Sequence, residues 1–587
     1  MGNYRNFMLV YYFVAQGTAH ATREKLEEDI RFFEKYMRPD KVYLEPYRSS
    51  VFADEKQVEL CREVFRAHGV EVAGGLTTTV RTPAGEEEKQ RIFETCCYND
   101  EKMVAELRNA CRFIGQHYDE FIIDDFFFTN CTCDACRKGR DEYNRAHGIT
   151  DGSWKAYRLA LMEKVSREDI IAPAKEANPN CRVTIKYPNW AESYQETGYN
   201  PAGQRKLFDR IYTGTEARDT VTTDQHLPRY LSYSLVTYFE NMWPGHNGGG
   251  WFDPFDLHIT EQYLEQAFLT AFAKAKELMM FCFQALVDHP FIPALGFHLD
   301  KLDEVLDHCG TPVGIACYLP DNCQGEDNLQ DFLGMVGLPI TLTPYFPMKE
   351  RQILLTRSAA CDPDIADKLD GYLQQGDRRA LVTAGFWDAI RGRGERFTSI
   401  RLRGRTVTAD RYRVEAKTAS GQAYCTFPEG VRPITLPVAE FRNNATWAVV
   451  KAVSGEESYG ILLRDHYAQS ELWTLTAPDA YPELYRIPAP ALSRIREAFP
   501  VQGMWLEGPA RISLFPYDND TVILYYYVMD GTQPEEVYLH VRGAKALMSL
   551  PGGKRPTEPL WTKDGEAVFR LPIRPGDYLM YKIIKDE

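Results

Sequence analysis

The stretch Phe121–Cys136 reads FIIDDFFFTNCTCDAC. A short apolar run ends in two adjacent carboxylates, and a Cys-x-Cys-x-x-Cys cluster follows at once. The run predicts a strand buried on both faces. In an α/β barrel the C-terminal end of a strand is where catalytic groups sit. A carboxylate there is placed for acid/base or nucleophilic work. Three close thiols just beyond it suit metal ligands that pin the loop. This segment therefore predicts a barrel enzyme with a structural zinc site beside its active site.

Outward from that strand, short apolar runs alternate with helical segments up to residue 296. That alternation predicts an α/β fold with a parallel sheet. Candidate strands are Met8–Ala15, Val42–Tyr47, Val70–Leu76, Phe121–Phe127, Arg182–Tyr187, Arg210–Gly214, Leu235–Phe239 and Leu278–Ala285. Amphipathic stretches such as Gln57–His68, Glu101–His117 and Glu261–Lys276 lie between them. Eight strands over this length make a (β/α)8 TIM barrel. The alternative is a doubly wound open sheet, but the glycine-rich dinucleotide fingerprint is missing after the first strand. A second α/β domain is expected over residues 297–395, a β-rich domain over 396–490 and a C-terminal β-sandwich over 491–587.

The chain has 587 residues, too many for one core. Its net charge is −15, and no Lys/Arg block marks a nucleic-acid footprint. No run reaches about 18 consecutive apolar residues, so no membrane span is expected. The start, MGNYRNFMLVYYFVAQG, reads as the first barrel strand rather than a signal peptide. Fourteen cysteines without an export signal point to a reducing, cytoplasmic setting with free thiols or metal ligands. Aromatics make up 13% of the chain, which suits either stacking on sugar rings or large cores.

Cys131, Cys133 and Cys136 are spaced to converge on one ion, and zinc in a structural site takes a fourth ligand. Cys96 or Cys97, on the loop after the third strand, is the candidate. No His lies near the cluster, which favours a closed structural site over a catalytic one. Asp124 and Asp125 occupy successive strand positions, so alternation sends only one into the barrel mouth. Glu240 ends the run Leu235–Phe239, and the Gly-rich segment after it carries Trp243 and Trp251, suited to aromatic platforms. Glu216 is a similar strand-end acid, which Arg218 would neutralise. Glu45 and Asp253 are second-tier acids. Lys186, Tyr187, Asn189, Asp224, His226, Asn241 and Gln284 are candidates for binding hydroxyls. Glycoside hydrolysis needs two carboxyl groups across the scissile bond. An Asp at one strand end and a Glu three strands later would face each other across a barrel mouth. Glu240 is thus the expected nucleophile or base, and Asp125, then Asp124, the expected acid.

The order of parts resembles the family-42 β-galactosidases: a zinc-bearing barrel, an amidotransferase-like α/β domain, then a small β domain. The resemblance rests on Cys131, Cys133 and Cys136, on Glu240-Asn241, on Met280–Gln284 and on the segment Thr311–Ala384. It implies a glycosidase, β-galactosidase-like, with structural zinc completed by Cys96 or Cys97. It further implies a carbohydrate substrate and a homo-oligomer, a trimer in that family. It also implies that Cys317 and Cys323 are structural, because the second domain lacks glutaminase chemistry. The chain departs from the family at Asp124-Asp125, where the family has Asn-Glu. That shorter acid leaves the sugar and the stereochemical outcome open. Two other readings are a carbohydrate-binding barrel without catalysis and a zinc-dependent hydrolase.

Overall fold

The computed structural model describes residues 2–585 except 83–90, 220, 221, 224, 416–421, 427–431 and 479. Asp224 therefore lies outside the described residues. Two compact units emerge. The first comprises residues 1–226 and 243–303, the second 227–242 and 304–587.

The first unit is a closed eight-stranded parallel barrel. Its strands are β1 Met8–Phe13, β2 Lys41–Leu44, β3 Glu71–Leu76, β4 Glu120–Ile123, β5 Arg182–Tyr187, β6 Arg210–Gly214, β7 Asn247–Phe252 and β8 Glu277–Met280. Amphipathic helices such as Glu55–Ala67 and Glu101–His117 cover its outside, each opened by an Asp whose side chain accepts from backbone N–H groups of the first turn.

The seventh strand differs from the sequence expectation. Leu235–Phe239 is not a strand but part of the helix Leu231–Met242, which belongs to the second unit. Residues 231–239 of that helix are all buried, so it carries no polar stripe to betray a helical period. The true seventh strand is NGGGWF, which reads as a loop because glycine offers no side chain to a sheet. The fold requires glycine there. A Cβ at Gly249 would come within 2.3 Å of the Glu277 carbonyl, and one at Gly250 within 2.4 Å of Thr270 Cγ2.

Strand alternation and register sort the barrel interior into layers drawn from even or odd strands. The lowest layer, at the N-terminal ends, is charged: Lys41, Glu120, Arg210 and Glu277. Lys41 Nζ lies 2.5 Å from Glu120 and 3.3 Å from Glu277. Arg210 reaches both carboxylates from the strand between them. Above it come Val10, Ala73, Thr184 and Gly249, then Tyr43, Ile122, Tyr212 and Met279. The upper layer is Tyr12, Gly75, Lys186 and Trp251. The apolar members form one core cluster.

In the second unit, β9 Ile315–Tyr318, β10 Ile340–Thr343, β11 Gln352–Leu355 and β12 Arg379–Thr383 pair in parallel in the order β10-β9-β11-β12. The sheet does not stop there. Ser470–Leu475 joins β12 in parallel, and four antiparallel strands continue it to nine. The expected break between residues 395 and 396 is thus not a sheet boundary. The C-terminal part folds as two four-stranded antiparallel sheets around a common apolar core.

Candidate active site

The upper interior layer and the strand ends above it form a buried ionic cluster at the C-terminal face of the barrel. Sheet hydrogen bonding runs one residue past several strands, to Glu45, Asp124, Thr215 and Phe281. This fixes the acids by main chain as well as by side chain. Glu45 is fully buried and accepts from Tyr12 OH (2.8 Å), Thr77 Oγ1 (2.5 Å) and the Ala15 N–H (2.9 Å). Arg48 Nε donates to Glu45 (2.8 Å), and Arg48 Nη2 donates to Asp124 (2.8 Å). Asp124 also accepts from the Asp125 N–H (2.7 Å), and Thr77 Oγ1, 3.1 Å away, can turn its one proton to Asp124 instead of Glu45.

Lys186 is the hub. Its ammonium donates to Asp125 at 2.6 Å and to Glu216 at 3.3 Å, and stands 4.0 Å from Asp124. It also lies 4.4 Å from the centre of the Trp251 ring. One ammonium thus bridges both carboxylates. Glu216 Oε2 and Asn189 Oδ1 are buried with no hydrogen-bond partner, while Asn189 Nδ2 donates to the Glu216 carbonyl (2.8 Å). Asp253, directly after β7, is held by Arg218 Nη2 (2.7 Å) and the Phe255 N–H (3.1 Å).

These environments push the neighbouring carboxyls apart. Burial opposes ionisation of Asp124, but Arg48, Lys186 and a hydrogen bond with the Asp125 side chain outweigh it and hold Asp124 below its usual value. Asp125 goes the other way. Burial, with the Asp124 and Glu216 charges beside it, pushes Asp125 well above the ordinary range despite Lys186. Glu216 is also raised, by burial and by the charge on Asp253. The mouth therefore sets a carboxyl held low beside one pushed high, a direction that suits acid catalysis.

The sequence expectations fare unevenly. Asp124, Asp125, Lys186, Asn189, Glu216 and Glu45 come together in one network. Alternation does not separate Asp124 from Asp125, because β4 ends at Ile123 and the chain turns, bringing both toward Lys186. Asp253 ends the true seventh strand, and Arg218 pairs with it rather than with Glu216. Gln284 accepts weakly from the Val14 N–H (3.4 Å) at the end of β1. Glu240 is corrected: it sits on the helix Leu231–Met242 of the second unit, not at a barrel strand end. Its neighbour Asn241 donates to the Leu342 carbonyl there (2.7 Å). Trp243 precedes β7 and stacks on His246, at the wrong end of that strand for the mouth. Trp251 is buried inside the barrel, not an open platform. Tyr187 is buried and donates to Gln204 (2.8 Å). His226 is exposed on the loop after β6. Arg48 and Thr77 were not foreseen; the only signal was an Arg three residues after the strand-end Glu45.

The thiols resolve cleanly. Cys97, Cys131, Cys133 and Cys136 place their sulfurs within 4.8 Å of one another. Cys97 Sγ lies 3.8 Å from Cys133 and 3.6 Å from Cys136. Four thiolates around a tetrahedral ion, each bonded at about 2.3 Å, stand about 3.8 Å apart. The donor set therefore fits a closed metal site. Asn99 Nδ2 donates to the Cys136 sulfur (3.3 Å), orienting it from outside. Cys96 is buried apart from the cluster, so it is not the fourth member.

Comparison with known proteins agrees with this fold. Residues 1–295 match the family described as "Probable glycosyl hydrolase, catalytic domain", and the chain belongs to that family. Residues 310–480 match "Uncharacterized protein SSO3021, second domain". The uncharacterized protein SSO3021 of Saccharolobus solfataricus is 24% identical over 521 residues, 84% of this chain and 85% of that one. Among solved structures, a β-galactosidase from Bacillus circulans sp. alkalophilus aligns with a TM-score of 0.62 at 11% identity, covering 98% of this chain and 99% of that one. The GH42 β-galactosidase Gan42B aligns with a TM-score of 0.62 at 10% identity over 99% of both chains. The exo-β-1,4-mannosidase Op5Man5 from Opitutaceae bacterium strain TAV5 aligns with 0.51 at 12% identity, covering 84% of this chain and 94% of that one. At such identities these structures share the fold alone.

Proposed function

We propose that the barrel mouth hydrolyses a glycosidic bond in an oligosaccharide or glycoconjugate, with Asp125 as general acid and Asp253 as nucleophile or general base. The observation that carries this reading is the different setting of two carboxyls at the mouth. Asp125, just after β4, is pushed well above the ordinary carboxyl range by burial and neighbouring charge, while Asp253, three strands on, is held by the Arg218 guanidinium. An acid must deliver its proton to the leaving oxygen, while its partner must be ionised to attack the anomeric carbon or water. Asp124 is too firmly committed to Arg48, Thr77 and the main chain to move a proton. Glu216 lies between the pair, and its unpartnered oxygen suits a sugar hydroxyl. Relatives of this fold named as β-galactosidases and a β-mannosidase make β-linked pyranosides the first substrates to try.

The test is release of sugar from a panel of 4-nitrophenyl β-glycosides and β-linked disaccharides. The wild type is expected to release product from at least one, and Asp253→Asn to lose at least about a thousandfold in kcat. A wild type that binds these compounds without releasing sugar is a binding protein, and the proposal fails.

We assign the four-thiolate cluster to structural zinc. Four thiolates fill a tetrahedral shell, leaving no open position for a metal-bound water, which counts against a zinc-dependent hydrolase. Purified protein is expected to carry one zinc per chain. Cys136→Ser should lose it and melt at lower temperature, whereas Cys96→Ser should keep it. Zinc content and thermal melts of the two variants check this. Loss of zinc from Cys96→Ser would overturn the assignment.

A further inference from the structure

We infer that Phe93 and Phe126 form a leaving-group subsite beside Asp125 that takes an aglycone with an apolar ring face, aryl or pyranosyl. This rests on the reading of Asp125 as the acid. The segment RIFET, Arg91–Thr95, lies on the loop after β3 and makes a single tight turn over Ile92–Glu94. Phe93 is 63% exposed and Ile92 47%, a conspicuous apolar display on a loop. Phe93 and Glu94 both adopt a left-handed backbone, with φ of 54° at each. A bulky aromatic residue occupies that region only where its surroundings impose it.

The surroundings do impose it. Arg91 is buried, and its guanidinium donates to the carbonyls of Thr95 (2.7 Å), Val80 (3.2 Å) and Glu94 (3.3 Å) and to Thr82 Oγ1 (3.2 Å). The Val80 N–H donates to the Glu94 carbonyl (2.9 Å), and the Thr82 N–H to the Glu94 carboxylate (2.7 Å). The Ile92 N–H donates to Asn130 Oδ1 (2.9 Å), tying the turn to the loop after β4. A buried arginine and a strained turn thus hold an aromatic ring out toward solvent.

The ring it meets is Phe126, at 5.2 Å between centroids and tilted by 54°. Phe126 is the residue directly after Asp125, and its carbonyl accepts from Thr78 Oγ1 (2.9 Å). In glycosidic cleavage the acid protonates the departing oxygen, so the leaving group passes the acid and its chain neighbours. Two fixed rings next to that residue form a shelf against which a departing ring stacks.

The experiment uses the full chain. It compares phenyl and methyl glycosides of the sugar that the 4-nitrophenyl panel identifies, with wild type, Phe93→Ser and Phe93→Tyr. Phe93→Ser is expected to lower the phenyl-to-methyl ratio of kcat/KM about tenfold, mainly through KM, and Phe93→Tyr to restore it. Thermal melts confirm that the exposed substitution leaves folding intact. An unchanged ratio overturns the subsite. So does a change of oligomeric state by sedimentation at constant ratio, which assigns the rings to a contact between copies. Should the wild type bind phenyl over methyl glycoside by calorimetry, lose that preference in Phe93→Ser, yet release no sugar, the subsite stands and hydrolysis falls. Should it bind neither, both fall together.

Discussion

Replacing Asp125 with Asn is expected to lower kcat by about 10²–10⁴-fold on glycosides with alkyl or sugar leaving groups. The loss should be far smaller on a 4-nitrophenyl glycoside, whose phenolate departs without a proton. The sign of the pH effect follows from the raised Asp125 carboxyl. The working form is the neutral one, which persists above the usual carboxylate range. Wild-type activity therefore declines as pH rises through that elevated value. The Asn variant should lack this alkaline limb while keeping the acidic one, set by protonation of its partner. Full pH–rate profiles on both leaving-group types check this. An Asn variant that retains the alkaline limb would move the acid role to Glu216, the other raised carboxyl at the mouth.

The second large effect is expected at the other end of the barrel. Lys41→Met should destabilise the fold by about 3–5 kcal/mol, because it strands Glu120 and Glu277 inside the barrel without their shared ammonium. Tyr43 OH lies within hydrogen-bond distance of both carboxylates, at 2.8 and 3.1 Å, but has one proton to give and adds no charge. A double variant, Lys41→Met with Glu277→Gln, should recover part of the loss, since the penalty comes from an unpaired charge rather than from a missing contact. Burial opposes ionisation of Glu120, but Lys41, Tyr43 and Arg210 outweigh it and hold its pKa below the ordinary value. Its contribution is thus fully present above the unfolded pKa, about 4.3, and is lost as pH falls through the depressed folded value. Urea unfolding at neutral and mildly acidic pH measures both effects. Equal stability of Lys41→Met and wild type would show that Arg210, with Arg182 lying 2.6 Å from Glu120, balances this layer without the lysine.

How far the sequence reaches depends on what each segment must do. FIIDD is legible because a strand buried on both faces is an unbroken apolar run, and its acids begin where the barrel opens. The thiols are legible because their spacing is dictated by one ion. NGGGWF is illegible for the opposite reason: close packing against Tyr212, Thr270 and Glu277 selects glycine, which erases the strand signal. LSYSLVTYFENM misleads because a helix buried on every side has the composition of a strand. That misreading carried Glu240 into the candidate pair and demoted Asp253. The charged lower layer is invisible from sequence, since each member stands at the start of a different strand and reads as an ordinary polar cap.

The helix Leu231–Met242 also bears on how the chain is made and how it can be cut. It is synthesised between the sixth and seventh barrel strands, yet Tyr230, Thr237 and Asn241 at and beside it hydrogen-bond to Ile340 and Leu342, which leave the ribosome much later. The barrel therefore closes across a segment whose own partner strand does not yet exist. During synthesis that segment is a largely apolar helix in need of shelter. A truncated gene ending near residue 300 would encode all eight strands and still leave this helix without the strand it bonds to, so the boundary the sequence suggests is not a clean place to cut.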